Sequence, residues 1–352
     1  MSKVFIIGPN YYNFLPAVES AYRELGWETV VSGYDTPVHP YSGLAKLRYK
    51  LSRDRDGLIA RSREAYQNEV LTVFEQNRPD LVFIMNGDFL EAATLDCIRH
   101  SAKVALWLFD SRTKLPASVG HADHVDALFC FEQDDVAWFL SQGKQAFFLP
   151  QACDTSRYHP IAGSEKDIDI LFVGNLFYSP KRKAVMNAVI AHFPERRIEV
   201  YGWYQPWFKG LKAWLKRPHK QIYKNVNVPS EKANELYNRA HIVLNIHQEH
   251  QKNGANPRVF EICGAGAYQI CDWNPYIASL FPEGIIGLYH DREELLALIE
   301  TGLIEDVSKK AALACSYVRS NHSFVNRMSF VVDLFRNPAN AGTYSSQNEQ
   351  IG

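Results

Sequence analysis

The sequence predicts an α/β protein built as two consecutive doubly wound halves, on three observations. Unbroken apolar runs at 4–7 and 81–85 read as strands buried on both faces of a parallel sheet. Segments with helical spacing separate such runs, the β-α-β pattern of that fold class. The pattern stops over 149–164, a proline-containing polar stretch without periodicity, and restarts at 168–173. A chain of 352 residues also exceeds one typical core. The expected division is an N-terminal domain over 1–152 and a C-terminal domain over 153–336. A small, polar tail over 337–352 is expected to be disordered.

In the first half, strand 4–7 meets a sharp turn at Gly8-Pro9-Asn10. Phe14, Val18, Ala21, Tyr22 and Leu25 then share a helical face, and Gly26 closes the helix before strand 28–31. The turn is not GxGxxG, so a dinucleotide fingerprint is absent. Residues 46–63 are rich in arginine and lysine and predict one helix, or two broken near Gly57, running to about Gln76. Its charge fits a solvated face, or a basic rim for an anionic acceptor or membrane surface. Strand 81–85 ends in Asn86-Gly87-Asp88, and strand 103–108 in Phe109-Asp110. Ligands of open α/β sheets gather at the carboxyl ends of strands, so Asp88 and Asp110 are candidate bases or hydroxyl acceptors. Caps for the following helices are the alternative. Strands 126–131 and 145–149 complete this half.

In the second half, strand 168–173 and a Gly174-Asn175 turn lead to a helix carrying Lys181, Arg182 and Lys183 near its start. Strand 197–201 follows. Segment 204–224 holds Trp207, Leu211, Trp214 and Leu215 on one helical face, with Lys209, Lys212, Lys216 and Arg217 around it and no acid. Such a helix fits a peripheral membrane contact or a basic outer face over its own sheet. Helix 231–240, capped by Ser230, precedes strand 242–247, which places Asn245 and His247 near its carboxyl end. Past the loop 248–255, strand 285–289, a helix over 291–301 capped by Asp291, and a helical region over 308–335 broken near Ser320 complete the chain.

The chain turns on the stretch from Asn256 to Asp272. Asn256 and Pro257 suit the cap and first turn of a short helix. Arg258 and Glu261 lie one turn apart on one face. Gly264 and Gly266 end the helix, and 268–271 reads as a buried strand. A helix start with free N–H groups, a cation and a carboxylate one turn on suits a phosphate and a sugar hydroxyl. A surface ion pair on an ordinary helix reads equally well from these residues alone.

Composition bounds the function. Apolar content of 46% and charged content of 22% fit a globular protein. A net charge of −1 disfavours nucleic acid as a partner. The six cysteines show no CxxC pair and no Cys/His spacing for zinc, so a reducing, cytoplasmic setting is expected. The first residues run into a strand without signal-peptide character, and no apolar run is long enough to span a bilayer.

The ordered motifs resemble a family. They are Leu149-Pro150 before Asp154 and His159-Pro160, the run from Asp169 to Asn175 followed by Lys181-Arg182, Val200-Tyr201-Gly202, and Leu244-Asn245-Ile246 followed by Asn256 to Glu261 with Gly264. Together they are similar to the CgeB-type (spore maturation protein) branch of group 1 glycosyltransferases, related to GT4 enzymes, over about 145–330. The resemblance implies a GT-B fold, two facing Rossmann-like domains, and transfer of a sugar from a nucleotide-diphosphate sugar bound by the C-terminal domain. By motif position, Glu261 would take the ribose hydroxyls, and Arg258 with Lys181, Arg182 or Lys183 the diphosphate. Gly174, Asn175, Tyr201, Asn245, Asn256 and Phe260 complete the donor side. Asp88, Asp110, Asn10 and Tyr11 would face the acceptor, a saccharide, glycolipid or protein in bacterial surface glycan synthesis. No cofactor or metal is required, and no DxD motif follows a strand. Related enzymes carry a glutamate eight positions before the ribose-binding one; here it is Asn253, with His247 and Glu249 as candidate substitutes. A catalytically silent nucleotide- or sugar-binding protein and a sugar-phosphate isomerase or epimerase are the competing readings. The expected location is cytoplasmic, with peripheral contact at the inner membrane face.

Overall fold

The structure, a computed structural model, describes residues 2–10, 13–204 and 221–337. The chain forms two compact units, one from the chain up to Pro150 with the last helix, the other from Gln151–Ser323. Segment 204–224 and the tail thus fall largely outside the described residues, as does Tyr11.

The first unit is a six-stranded parallel sheet in the order β2-β1-β3-β4-β5-β6. The strands are β1 (Lys3–Pro9), β2 (Glu28–Tyr34), β3 (Leu81–Met85), β4 (Lys103–Leu108), β5 (Ala127–Cys130) and β6 (Ala146–Phe148). Every residue of β3 is buried, and so is all of β4 beyond Lys103, which is why these strands read as continuous apolar runs. Helices α1 (Phe14–Glu24), α2 (Gly43–Leu51), α3 (Arg55–Asn77), α4 (Ala92–Arg99), α5 (Pro116–Val119) and α6 (Gln133–Ser141) connect them. Leu15, Val18 and Tyr22 of α1 recur at helical spacing and are buried, and Gly26 ends the helix at φ +80°.

The basic region is two helices, broken at Ser52 to Asp54 rather than near Gly57. Asp54 caps α3 by accepting from the Gly57 N–H at 2.9 Å, so Gly57 lies in a first turn, where its weak helix propensity matters little.

The second unit is a five-stranded parallel sheet in the order β11-β10-β9-β7-β8. Its strands are β7 (Ile168–Val173), β8 (Ile198–Tyr201), β9 (Ala240–Asn245), β10 (Tyr268–Asp272) and β11 (Gly287–Tyr289). Its helices are α7 (Pro180–His192), α8 (Ser230–Arg239), α9 (Pro257–Gly264), α10 (Pro275–Leu280), α11 (Arg292–Ile304) and α12 (Ser308–Asn321). The chain leaves β7 toward β8 and later returns to its other side with β9, so the topological switch point lies between β7 and β9. Asp291 caps α11 as expected. Ser230 does not cap α8; it is the first helical residue, and Pro229 holds the cap position.

The last helix, α13 (Phe324–Arg336), follows a break at His322-Ser323 and belongs to the first unit. Phe324 stacks on Phe109 at 6.4 Å, and Arg327 donates to the Pro150 carbonyl at 2.9 Å. All six cysteines are free thiols, and no described helix is long and apolar enough to cross a membrane.

Candidate functional site

The loops after β7 and β9 flank the switch point, where ligands of open α/β sheets bind. The structure brings Lys181, Arg182, His247 and Asn256 to this place, with Arg258 and Glu261 on the next helix. It also brings a residue that the sequence reading left without a role, Asp272 at the end of β10.

Asp272 is the hub. It is buried, and its carboxylate accepts from the His247 N–H at 2.9 Å, from His247 Nδ1 at 2.8 Å and from Lys181 Nζ at 2.6 Å. Burial alone would raise its pKa, but the His247 and Lys181 contacts outweigh it and hold the carboxyl well below its usual range. His247 is buried too, and its Nε2 accepts from the Asn256 N–H at 3.1 Å. Both ring nitrogens thus have partners: Nδ1 donates to Asp272 and Nε2 accepts, the neutral tautomer these contacts assign. His247 orients the loop rather than presenting a lone pair to a ligand. A simple signal existed for Asp272: an acid at the carboxyl end of a buried strand, the rule that selected Asp88 and Asp110.

Helix α9 offers fewer donors than its sequence promises. The Asn256 N–H goes to His247, Pro257 has none, and the Val259 N–H bonds the Asn256 carbonyl at 3.1 Å. The Asn256 side chain does not cap the helix either. It pairs with Asn245, each amide donating to the other at 3.0 and 3.2 Å, while Asn245 also donates to Gln269. Asn245 and Asn256 therefore staple β9 to the start of α9. Phe260 is buried beside His322.

Arg258 and Glu261 are half-buried on α9. Arg258 is hydrogen-bonded to Tyr237 and charge-coupled to Glu261. Burial raises the Glu261 carboxyl above its ordinary value, against the pull of Arg258 and a hydrogen bond from the Tyr158 hydroxyl. Burial also keeps Tyr158 and Tyr237 protonated, hence as donors. An acid whose charge is costly until a partner arrives is a common mark of a functional site.

The start of α7 is already supplied with an anion. Glu249 accepts from the Lys181 N–H at 3.0 Å and from the Ser179 hydroxyl. Burial pushes its carboxyl up, but these donors hold it below its ordinary value. Arg182 is buried and spent on backbone: Nε donates to the Ile246 carbonyl at 2.7 Å and one terminal nitrogen to the Asn175 carbonyl at 3.0 Å. Burial, and then the charge of nearby Arg258, lower its pKa to about 10. Lys183 lies over the Tyr204 ring at 5.0 Å.

Gly174 and Asn175 form the turn beneath. The Asn175 side chain accepts from the Trp203 N–H at 2.9 Å, and Gly202, at φ +114°, lies so close that a Cβ would sit 2.1 Å from the Gly174 carbonyl oxygen. Gly202→Ala is therefore expected to cost about 1–3 kcal/mol, read as a lowered melting temperature. Tyr201 lies at the end of edge strand β8, its hydroxyl donating to Glu199 at 2.8 Å; burial, then Glu199, raises it to about 12.

In the first unit, Asp88 and Asp110 follow β3 and β4. Neither caps a helix, since Glu91 and Leu115 hold those positions. Asp88 accepts from the Tyr34 hydroxyl at 2.6 Å, and Asp110 from the Ser111 N–H at 2.9 Å. Asn86, in the left-handed region at φ +60°, accepts from the Phe109 N–H and ties the two loops together. Asn10 is exposed at the end of β1, its N–H bonded to the Tyr34 carbonyl at 2.9 Å.

Among the described residues, one group of metal-competent side chains lies close together: His247, Cys271 and Asp272, with ligand atoms within 4.8 Å. Burial keeps Cys271 a thiol, and the other two are committed to each other, to Lys181 and to Asn256. This donor set suits a hydrogen-bonded ion pair better than a cation.

A model of the family described as "Glycosyl transferase-like" matches residues 181–333. The Spore protein CgeB of Bacillus subtilis (strain 168) is 25% identical over 271 residues, 73% of this chain and 82% of that protein. Among solved structures, sucrose-phosphate synthase from Thermosynechococcus elongatus is similar with a TM-score of 0.67 at 11% identity, covering 97% of this chain and all of that one. HepE of Anabaena, in complex with UDP and glucose, is similar with a TM-score of 0.62 at 12% identity, covering 96% and 100%. The two parallel-sheet units and these matches together make the chain a glycosyltransferase of GT-B fold, similar to the CgeB-type proteins.

Proposed function

We propose that the second unit binds a nucleotide-diphosphate sugar and that the first binds a saccharide, glycolipid or protein acceptor. The observation that carries this is the placement of Lys181 at the start of α7, after β7, and of Arg258 and Glu261 on α9, after β9, with Arg258 near enough for its charge to act on Arg182 beside Lys181. In this reading Glu261 takes the ribose hydroxyls, and Lys181 and Arg258 the diphosphate. A departing nucleoside diphosphate gains negative charge as the glycosidic bond breaks, so fixed cations stabilise the transition state more than the ground state. Arg182 acts one step back, by holding the two loops. HepE, a structural neighbour, is seen with UDP and with UDP-glucose, which makes uridine the first base to try.

Asp88 and Asp110 are the candidate bases if the reaction inverts the anomeric centre; a retaining reaction needs none from the protein. Surface glycan synthesis in the cytoplasm remains the proposed setting, and no metal is assigned a role. The test is a thermal-shift screen of the full chain against UDP, GDP, ADP and dTDP. At least one diphosphate at a hundredfold excess over its Kd should stabilise by about 2.7 kcal/mol. A stabilised protein that turns over no donor in a nucleotide-sugar panel would favour a silent binding protein, and no stabilisation by any of the four would remove the donor assignment.

A further inference from the structure

Helix α2 has its polarity turned inside out. None of its nine residues is buried. Leu44, Leu47 and Leu51 are 82%, 54% and 74% exposed, while Ala45 and Tyr49 are the half-buried ones. At 100° per residue the three leucines fall within about 60° of the helix circumference, opposite Ala45 and Tyr49. Tyr49 turns toward the body of the unit, within 6.5 Å of the Tyr41 ring and under the guanidinium of Arg55. Among the described residues the leucines form a stripe with no partner packed on it, and exposed apolar stripes of this kind mark interaction surfaces.

The residues around the stripe say what covers it. Arg48 flanks it on one side and Lys50 on the other, with Lys46 beyond and Arg53 just past the helix end. No acidic residue occurs between Asp35 and Asp54, and Asp54 is engaged in capping α3 and pairing with Arg61. An apolar stripe bordered only by cations complements a surface that is apolar beneath and anionic above. A second protein would need acids around an apolar groove; a bilayer rich in anionic lipid offers that combination everywhere. The helix is far too short to span a membrane and suits the interface plane.

We propose that α2 is an interfacial anchor that docks the first unit on anionic lipid bilayers, with Leu44, Leu47 and Leu51 in the headgroup boundary and Arg48 and Lys50 on lipid phosphates. The anchor follows β2 at its carboxyl end, the sheet edge that also carries Asp88 and Asp110. The docking does not depend on the proposed donor or acceptor.

The test is co-sedimentation of the full chain with vesicles of phosphatidylcholine alone and of phosphatidylcholine with about 30 mol% phosphatidylglycerol, a fraction chosen to make the surface strongly anionic. The wild type should partition onto the anionic vesicles at least about tenfold better, and high salt should weaken that binding. The L44S/L47S/L51S and R48S/K50S variants should each lose about tenfold in partitioning. Their melting temperatures should match the wild type, because these side chains are exposed. Wild-type binding by the leucine variant would overturn the proposal, as would absence of binding by the wild type. A dimer that dissociates in the leucine variant, in sedimentation velocity and without vesicle binding, would assign the stripe to a second copy of the chain instead. Inorganic phosphate should not compete at millimolar concentration; full competition would point to a phosphate site rather than a bilayer.

Discussion

Arg258→Ala is expected to lower kcat/KM for the nucleotide-sugar donor by about 10²- to 10³-fold, while the protein stays folded. The magnitude follows from loss of one fixed charge or donor aimed at developing negative charge. The fold survives because Arg258 is only half-buried and its partners, Tyr237 and Glu261, lie within the same unit. Arg258→Lys should recover only part of the loss, since an ammonium does not reproduce the planar fork. Glu261→Gln separates binding from folding. Burial raises the Glu261 carboxyl, so its ionised form costs stability at neutral pH; that cost is absent below the ordinary glutamate pKa and grows as pH rises through the raised folded value. The glutamine variant should therefore melt higher at pH 7 without nucleotide, by about 2–4 °C per kcal/mol recovered, yet lose the stabilisation by nucleoside diphosphate. Nucleotide stabilisation unchanged in both Arg258→Ala and Glu261→Gln would remove α9 from the binding site.

The sheets were legible because both faces of their central strands are covered. Leu81 to Met85 and Ile168 to Val173 advertise themselves as apolar runs, and the break between the halves is a loss of periodicity. The position of the candidate site follows from the same pattern, from where helices begin after parallel strands. The roles inside it do not follow from the pattern. Arg182 reads as a phosphate cation from its place beside Lys181, yet a guanidinium has several donors, and two burials of backbone carbonyl nearby claimed them. His247 reads as a substitute for the glutamate that Asn253 replaces, but its nitrogens are fixed by Asp272, 25 residues away in the chain, and by Asn256. Such pairings arise from tertiary contact and leave no periodic trace. The break at Ser52 to Asp54 was missed for a local reason: Asp54 competes as a cap, and a cap overrides the poor propensity of a nearby glycine.

Asp272 carries the second large effect. Asp272→Ala should destabilise the protein by about 3–5 kcal/mol, the cost of leaving buried groups without their charged partner. Most of that comes from His247, whose N–H and Nδ1 both lose their acceptor in a buried setting. Lys181 adds little, because its side chain is 41% exposed and water screens the pair. Asp272→Asn keeps an acceptor for His247 but turns amide hydrogens or a neutral oxygen toward Lys181, so a smaller loss is expected. The pH dependence has a definite sign. The folded pKa of Asp272 is depressed, so its contribution is fully present above the ordinary aspartate value of about 4 and is lost as pH falls through the folded value. The stability gap between wild type and Asp272→Asn should thus be flat from about pH 5.5 to 8 and narrow below about pH 4, measured by denaturant melts at each pH. A gap that stayed flat down to about pH 3 would show that the His247 and Lys181 contacts do not hold the Asp272 carboxyl below its ordinary range. Because Asp272 also sets Lys181 and, through His247, the Asn256 N–H, the milder Asp272→Asn variant should raise the donor KM even where it remains folded. An unchanged KM in that variant would mean that the hub supports the fold alone, and that Lys181 reaches the diphosphate without it.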